Sequence, residues 1–226
     1  MFRRPLLAAL LLAFAATADA AVAPVSPAPE AVLPSSNLTF TWNTPAGETA
    51  SAVYIATDPS VTPAGEFLQQ NVSAIGILSG SPTSWHPETP LFAGKYWWSV
   101  RSTDAAFMSS YFAPSAFTIR EKVKIGLITF KRRSGFGSYE IDVQWQANVK
   151  NPSLRARIRI NGTKRTLFSK ITPLAVTPST IDRSNVQKLY WSSSKRLAPG
   201  TRATLVVELR GATTRIGRKL PLVAKS

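Results

Sequence analysis

Three arginines at alternate positions, Arg155, Arg157 and Arg159, are the residues of this chain best suited to chemistry with an anion. In a strand, side chains two apart share a face, so the three guanidinium groups would stand in one row about 6.6–7 Å apart. Like charges at that spacing repel, and a polyanion lying along the row would neutralise them. A guanidinium also meets phosphate or carboxylate through a planar fork of donors. Lys131, Arg132 and Arg133, followed by Ser134-Gly135-Phe136-Gly137, would add three charges and an aromatic ring at a hairpin tip. The pairs Lys164-Arg165, Lys195-Arg196 and Arg218-Lys219 extend the basic set. The competing reading is a solvated, arginine-rich surface.

A second candidate is aromatic. If Val53 and Ile55 point inward, Tyr54 points outward; if Tyr96 and Trp98 point inward, Trp97 points outward. Should the two strands be neighbours, Tyr54 and Trp97 would form a platform that stacks on a sugar ring or packs on a partner. A stabilising cross-strand pair or a domain interface would use the same two residues.

The usual catalytic constellations are missing. There is no cysteine, which excludes disulfides, thiolate metal sites and a cysteine nucleophile, and the single histidine is His86. His86 lies in the turn sequence Trp85-His86-Pro87-Glu88, and no Gly-x-Ser-x-Gly elbow supplies it with a nucleophile. Glu88 and Asp104 could be paired only on paper as glycosidase carboxylates. Asp58 and Glu66 would make at best a weak calcium loop, and no phosphate-cradling loop occurs. The expectation is no enzyme, no metal and no cofactor.

Charge divides the chain. The 226 residues carry +15 overall, but residues 21–119 carry −4 and residues 120–226 carry +18. A change of sign that abrupt marks a domain boundary and two different tasks. Ahead of both, Met1-Phe2-Arg3-Arg4, an apolar run from Leu6 to Ala16 and Ala18-Asp19-Ala20 read as an export signal of residues 1–20, cleaved before Ala21. The run is too short to span a bilayer, which needs roughly 20 residues. A secreted, periplasmic or cell-surface location follows, with no transmembrane segment in the mature chain. Residues 21–34, with four prolines, read as an extended leading segment.

The elements that would position these residues are strands. Leu38, Phe40 and Trp42 alternate with polar neighbours, as do Tyr96, Trp98 and Val100. In the basic half Tyr139, Ile141, Val143 and Trp145 form one inward set, Leu154, Ala156, Ile158 and Ile160 a second, and Ala203, Leu205, Val207 and Leu209 a third. A last strand is expected around Ile216 to Val223. No helical period is sustained, and turn signals recur about every 8–12 residues. The fold class is all-β, with two tandem sandwiches of roughly 100 residues.

Trp42, the segment Leu91-Phe92-Ala93-Gly94-Lys95-Tyr96-Trp97-Trp98-Ser99-Val100 and Phe117 carry a resemblance. Residues about 24–119, with the sandwich itself set at 35–119, resemble a fibronectin type III or related immunoglobulin-like domain of bacterial secreted proteins. The resemblance implies that Leu91 and Tyr96 open the sixth strand and that the Tyr96 hydroxyl caps the preceding backbone as a tyrosine corner. It also implies that the strands of Tyr54 and Trp97 are neighbours. Residues 122–226 resemble the same sandwich class more weakly, through Leu197-Ala198-Pro199-Gly200-Thr201. The expected function is non-catalytic binding or adhesion, the basic domain contacting an anionic envelope polymer, polysaccharide or extracellular nucleic acid. A cell-wall polysaccharide-acting enzyme and a purely structural extracellular subunit are the alternatives.

Overall fold

The structure, a computed structural model, describes residues 22–34, 36–133, 138–191 and 197–223, with the side chains of Arg132 and Arg133 excepted. The expected export signal, the Ser134–Gly137 turn and the Lys195-Arg196 pair lie outside the described residues. Among those described, no helix is long and apolar enough to cross a membrane, and the helical elements are two short 3-10 turns.

The acidic half carries nine strands: β1 (Ala23–Ser26), β2 (Ala31–Leu33), β3 (Phe40–Asn43), β4 (Glu48–Ala56), β5 (Val72–Ser79), β6 (Ser84–Trp85), β7 (Gly94–Asp104), β8 (Ser109–Tyr111) and β9 (Ser115–Ile119). One sheet runs β1-β3-β6. The other runs β2-β9-β7-β4-β5, with β8 also paired to β7. The inward residues read from the alternation are the ones buried: Phe40, Val53, Ile55, Trp98 and Val100 are all inaccessible. Phe40 meets the rings of Trp98 and Phe117 edge-on, at 5.1 and 5.5 Å between centroids. That geometry sets the positive edge of one ring against the negative face of another. Leu91 is buried, and the Tyr96 hydroxyl donates to the Phe92 carbonyl at 3.1 Å, as the tyrosine corner requires.

The leading segment supplies two strands of this sandwich, joined through a turn at Pro29-Glu30. β1 pairs antiparallel with β3, then the chain crosses to the facing sheet, where β2 pairs parallel with β9. Val22 is buried in the core. Pro24 is tolerated in β1 because that strand is an edge, where a missing N–H removes no necessary ladder bond.

The basic half carries β10 (Val123–Arg133), β11 (Ser138–Ala147), β12 (Ser153–Ile160), β13 (Thr166–Pro173), β14 (Asn185–Trp191), β15 (Arg202–Arg210) and β16 (Arg215–Val223). Its sheets run β10-β11-β14 and β13-β12-β15-β16. Ile141, Val143, Leu154, Ile158, Leu205 and Leu209 are fully buried between them. Leu197 joins this core, and Gly200, at φ +78°, makes the turn into β15 that a side chain would strain. At the open flank Arg218 leaves the edge strand β16 and donates to the carbonyl of Gly126 in β10, tying one sheet to the other.

The joint between the halves is a bonded one. Asn148, completely buried, accepts the Lys122 N–H at 2.8 Å and donates its amide to the Arg120 carbonyl at 2.9 Å and towards Ser36 at 3.4 Å. Its backbone carbonyl accepts the Ala93 N–H at 2.7 Å. Glu121, one residue along, accepts the N–H groups of Thr213 and Thr214 and the Thr213 hydroxyl. Replacing Asn148 by Ala leaves buried donors and acceptors on both halves unmet, which should cost about 2–3 kcal/mol. Calorimetry should show the joint unfolding transition of the parent split into two in Asn148→Ala; a single unshifted transition would show that the joint carries no coupling.

Candidate polyanion-binding face

Strand register brings the basic residues to the outer face of the four-stranded sheet. In β12, Leu154, Ala156 and Ile158 point into the core, so Arg155, Arg157 and Arg159 point outward, as their spacing predicted. Arg155 stands opposite Glu208 of β15, and Glu208 opposite Gly217 of β16. One step along, Arg157 stands opposite Val206 and Val206 opposite Lys219; Arg159 faces Thr204. Arg210 and Arg215 face each other at one end of the sheet, and Arg202 lies at the other.

The three row members are not equivalent, and a uniformly solvated row is not what forms. Arg157 donates to Glu208 at 2.7 Å and its side chain is only 17% exposed. Glu208 also accepts Arg215 at 2.5 Å and lies 3.6 Å from Arg210. Burial alone would raise the Glu208 carboxyl, but the Arg215 hydrogen bond and the charges of Arg157, Arg215 and Arg210 outweigh it and hold it below its ordinary value. The guanidinium groups of Arg157, Arg215 and Arg210 thus converge on one carboxylate, which offsets part of their mutual repulsion. Arg155 is half-buried, and Arg159 is exposed. The face therefore has a closed zone around Glu208 and an open zone at the other end of the sheet.

The open zone comprises Arg159 and Arg202, with Lys219 at its border level with Arg157, all exposed, and Lys164 and Arg165 on the β12–β13 turn. Two backbone bonds, Asn161 N–H to the Arg202 carbonyl and Ile160 N–H to the Arg165 carbonyl, hold the turn against the sheet. Among the described residues none of these five cations pairs with a carboxylate. The sequence reading missed Arg202, Arg210 and Glu208. Their signal was present, since Glu208 is the one acid of the four strands and sits between inward Val207 and Leu209.

Lys131, Arg132 and Arg133 end β10, in the opposite sheet of the sandwich, so they do not extend the arginine row. Lys131 is exposed and lies 3.9 Å from Asp142. Arg218 and Lys219 part company: Lys219 faces outward and Arg218 turns across to β10.

Tyr54 and Trp97 do lie on neighbouring strands, β4 and β7, where Trp97 pairs with Ala56, two residues beyond Tyr54. Both are half-buried on the outward face, and the Lys95 ammonium lies 5.3 Å from the Trp97 ring. Glu66, considered for calcium, instead accepts Tyr111 at 2.7 Å and Arg101 at 3.3 Å; burial and the bond to Glu66 push the Tyr111 phenol up to about 12. Asp58 accepts the Ser60 N–H, and Asp104 accepts those of Ala106 and Met108. His86 and Glu88 are exposed in the segment after β6. Among the described residues no three His, Cys, Asp or Glu side chains gather as a metal site.

Glu208 yields a signed expectation. Its folded pKa is depressed, so its contribution is full above the unfolded carboxylate value of about 4.3 and fades as pH falls through the folded value. Glu208→Gln should lower stability by roughly 3 kcal/mol at neutral pH, the cost of removing one partner from a buried ion pair. Urea titrations should also show a shallower loss of stability in acid for the variant. Equal stability and an equal acid slope would mean that the arginines are held by something else.

No family model matches this sequence, and no curated protein matches it. Solved structures similar to it include the FN1–FN3 domains of chicken CNTN1, at 14% identity, 90% of this chain, 69% of that one and a TM-score of 0.29. The fibronectin(III)-like modules of CbhA from Clostridium thermocellum match at 9% identity, 90% and 94% coverage and a TM-score of 0.32. A tetra-tandem repeat from the extending region of a large adhesion protein matches at 14% identity, 90% and 48% coverage and a TM-score of 0.40. The sheet order of the two halves and the Tyr96 corner, not these distant likenesses, make the chain a tandem of β-sandwiches with fibronectin type III and immunoglobulin-like topology.

Proposed function

We propose that the chain is a non-catalytic, exported binding protein whose basic sandwich adheres to an anionic polymer of the cell envelope through the open zone of its four-stranded sheet. The observation that carries this reading is the distribution of charge on that sheet. Its one acid, Glu208, is already engaged by three arginines, while Arg159, Arg202, Lys164 and Arg165 stand exposed towards the other end and Lys219 stands exposed midway, level with Arg157. A surface built only for solubility mixes both signs. A sheet face with its single carboxylate withdrawn into an internal cluster suits a ligand that brings its own negative charges. Tyr54 and Trp97 would supply the acidic sandwich with an aromatic contact for a sugar ring, at the other half of the molecule.

The test separates the open zone from the closed one. Binding to a teichoic-acid-like polymer, heparin and DNA is titrated at several salt concentrations for the parent and for Arg159→Gln/Arg202→Gln/Lys219→Gln. Three lost contacts should flatten the log–log salt dependence by about 2–3 units, nearer 2 on flexible single strands, with the fold unchanged. Affinities and slopes equal to the parent for all three ligands would reduce the face to a solvated surface.

A further inference from the structure

The loop between β7 and β8 shows solvent two large apolar side chains, Phe107 at 87% and Met108 at 68% exposure, preceded by exposed Ala105 and Ala106. Phe107 holds φ +61°, a left-handed conformation that a bulky residue adopts at a cost. The loop is nonetheless tightly made: Asp104 takes the N–H groups of Ala106 and Met108 on its carboxylate, and the Phe107 N–H on its backbone carbonyl. An apolar tip that is fixed, strained and solvated has been built to meet something.

The cleft between the two sandwiches is its counterpart. It encloses about 670 Å³, with Phe92, Tyr96, Ile119 and Val149 on its walls. Lys95, Arg120 and Lys150 stand at its rim, Lys150 over the Phe92 ring at 5.5 Å and Lys95 3.3 Å from Glu30. Glu121 also lines it, but that carboxylate is taken by Thr213 and Thr214. The tip is acidic at its base, where Asp104 pairs in register with Glu48. Apolar side chains with an acidic base thus face an apolar cleft with a basic rim.

One chain cannot close this contact on itself. Gly94, in the cleft, and Asp104, at the tip, are the two ends of β7, and its 11 residues extend about 35 Å. We infer that copies of this chain associate head to tail, the Phe107-Met108 tip of one seating in the inter-sandwich cleft of the next. Charge favours this order over head-to-head contact, because it sets the Asp104 base of one tip against the Lys95, Arg120 and Lys150 cations of the neighbour's cleft, whereas two tips would bring like charges together. A heterologous contact of this kind does not close at two copies and propagates as a ring or an open chain.

Two variants remove one side each. Phe107→Asn/Met108→Ser deletes the tip with residues that suit the turn, and Ala212→Trp overhangs the cleft from the exposed β15–β16 turn. Sedimentation velocity over increasing concentration should show the parent forming progressively larger species and either variant weakened about a hundredfold. Mixing the two variants should restore a species of two copies and no larger, since one intact tip then meets one intact cleft. A parent that stays monomeric to its solubility limit overturns the inference, as do variants that associate like the parent or a mixture that stays monomeric while circular dichroism shows both folded.

Discussion

The buried amide of Asn148 is the constraint on which the arrangement of this molecule depends. A side-chain amide has two donors and two acceptor lone pairs, and in a dry environment each unmet one is costly. Here the side chain spans Lys122 on one side and Arg120 and Ser36 on the other, so the peptide that joins the two halves is read by a residue of the second half. The Ala93 N–H adds the loop that precedes the tyrosine corner. A connection of three residues thereby becomes part of both structures, and the cleft beside it exists because the halves meet at a held angle.

A second constraint lies within the basic half. Folding a sheet that carries this many arginines requires somewhere for the charge to go, and Glu208 is the internal answer for three of them. The same carboxylate therefore separates the arginines that are paired within the sheet from those left, among the described residues, without a carboxylate partner. Arg157 and Arg159 are two residues apart in one strand, yet one is an interior ion-pair partner and the other a solvated cation. Spacing alone cannot make that distinction; a neighbour on the adjacent strand, 51 positions along the chain, does.

What the sequence made legible follows the range of the interactions. Strand alternation is local, so the inward sets around Phe40, Trp98, Ile141, Leu154 and Leu205 could be read directly. The tyrosine corner was equally accessible, because its donor and acceptor are four residues apart. The pairing of Arg157 was not legible locally, because Glu208 lies 51 positions along the chain. The Asn148–Ser36 contact spans 112 positions, and the parallel pairing that draws the leading segment into the first sandwich is also long-range. The candidate face was thus visible in outline, while its division into two zones required the register of three strands.

The edge strand β16 has one more consequence. An unpaired strand is an invitation to continue the sheet with any other extended chain, and an all-β molecule has several such places. β16 places Pro221 and Lys219 on its length and sends Arg218 over to the Gly126 carbonyl of the facing sheet. Proline withholds an N–H, lysine resists being buried beside a second strand, and the arginine occupies the gap through which a visitor would approach. This flank is in effect a seam stitched shut, carrying the features by which natural sheets discourage edge-to-edge pairing.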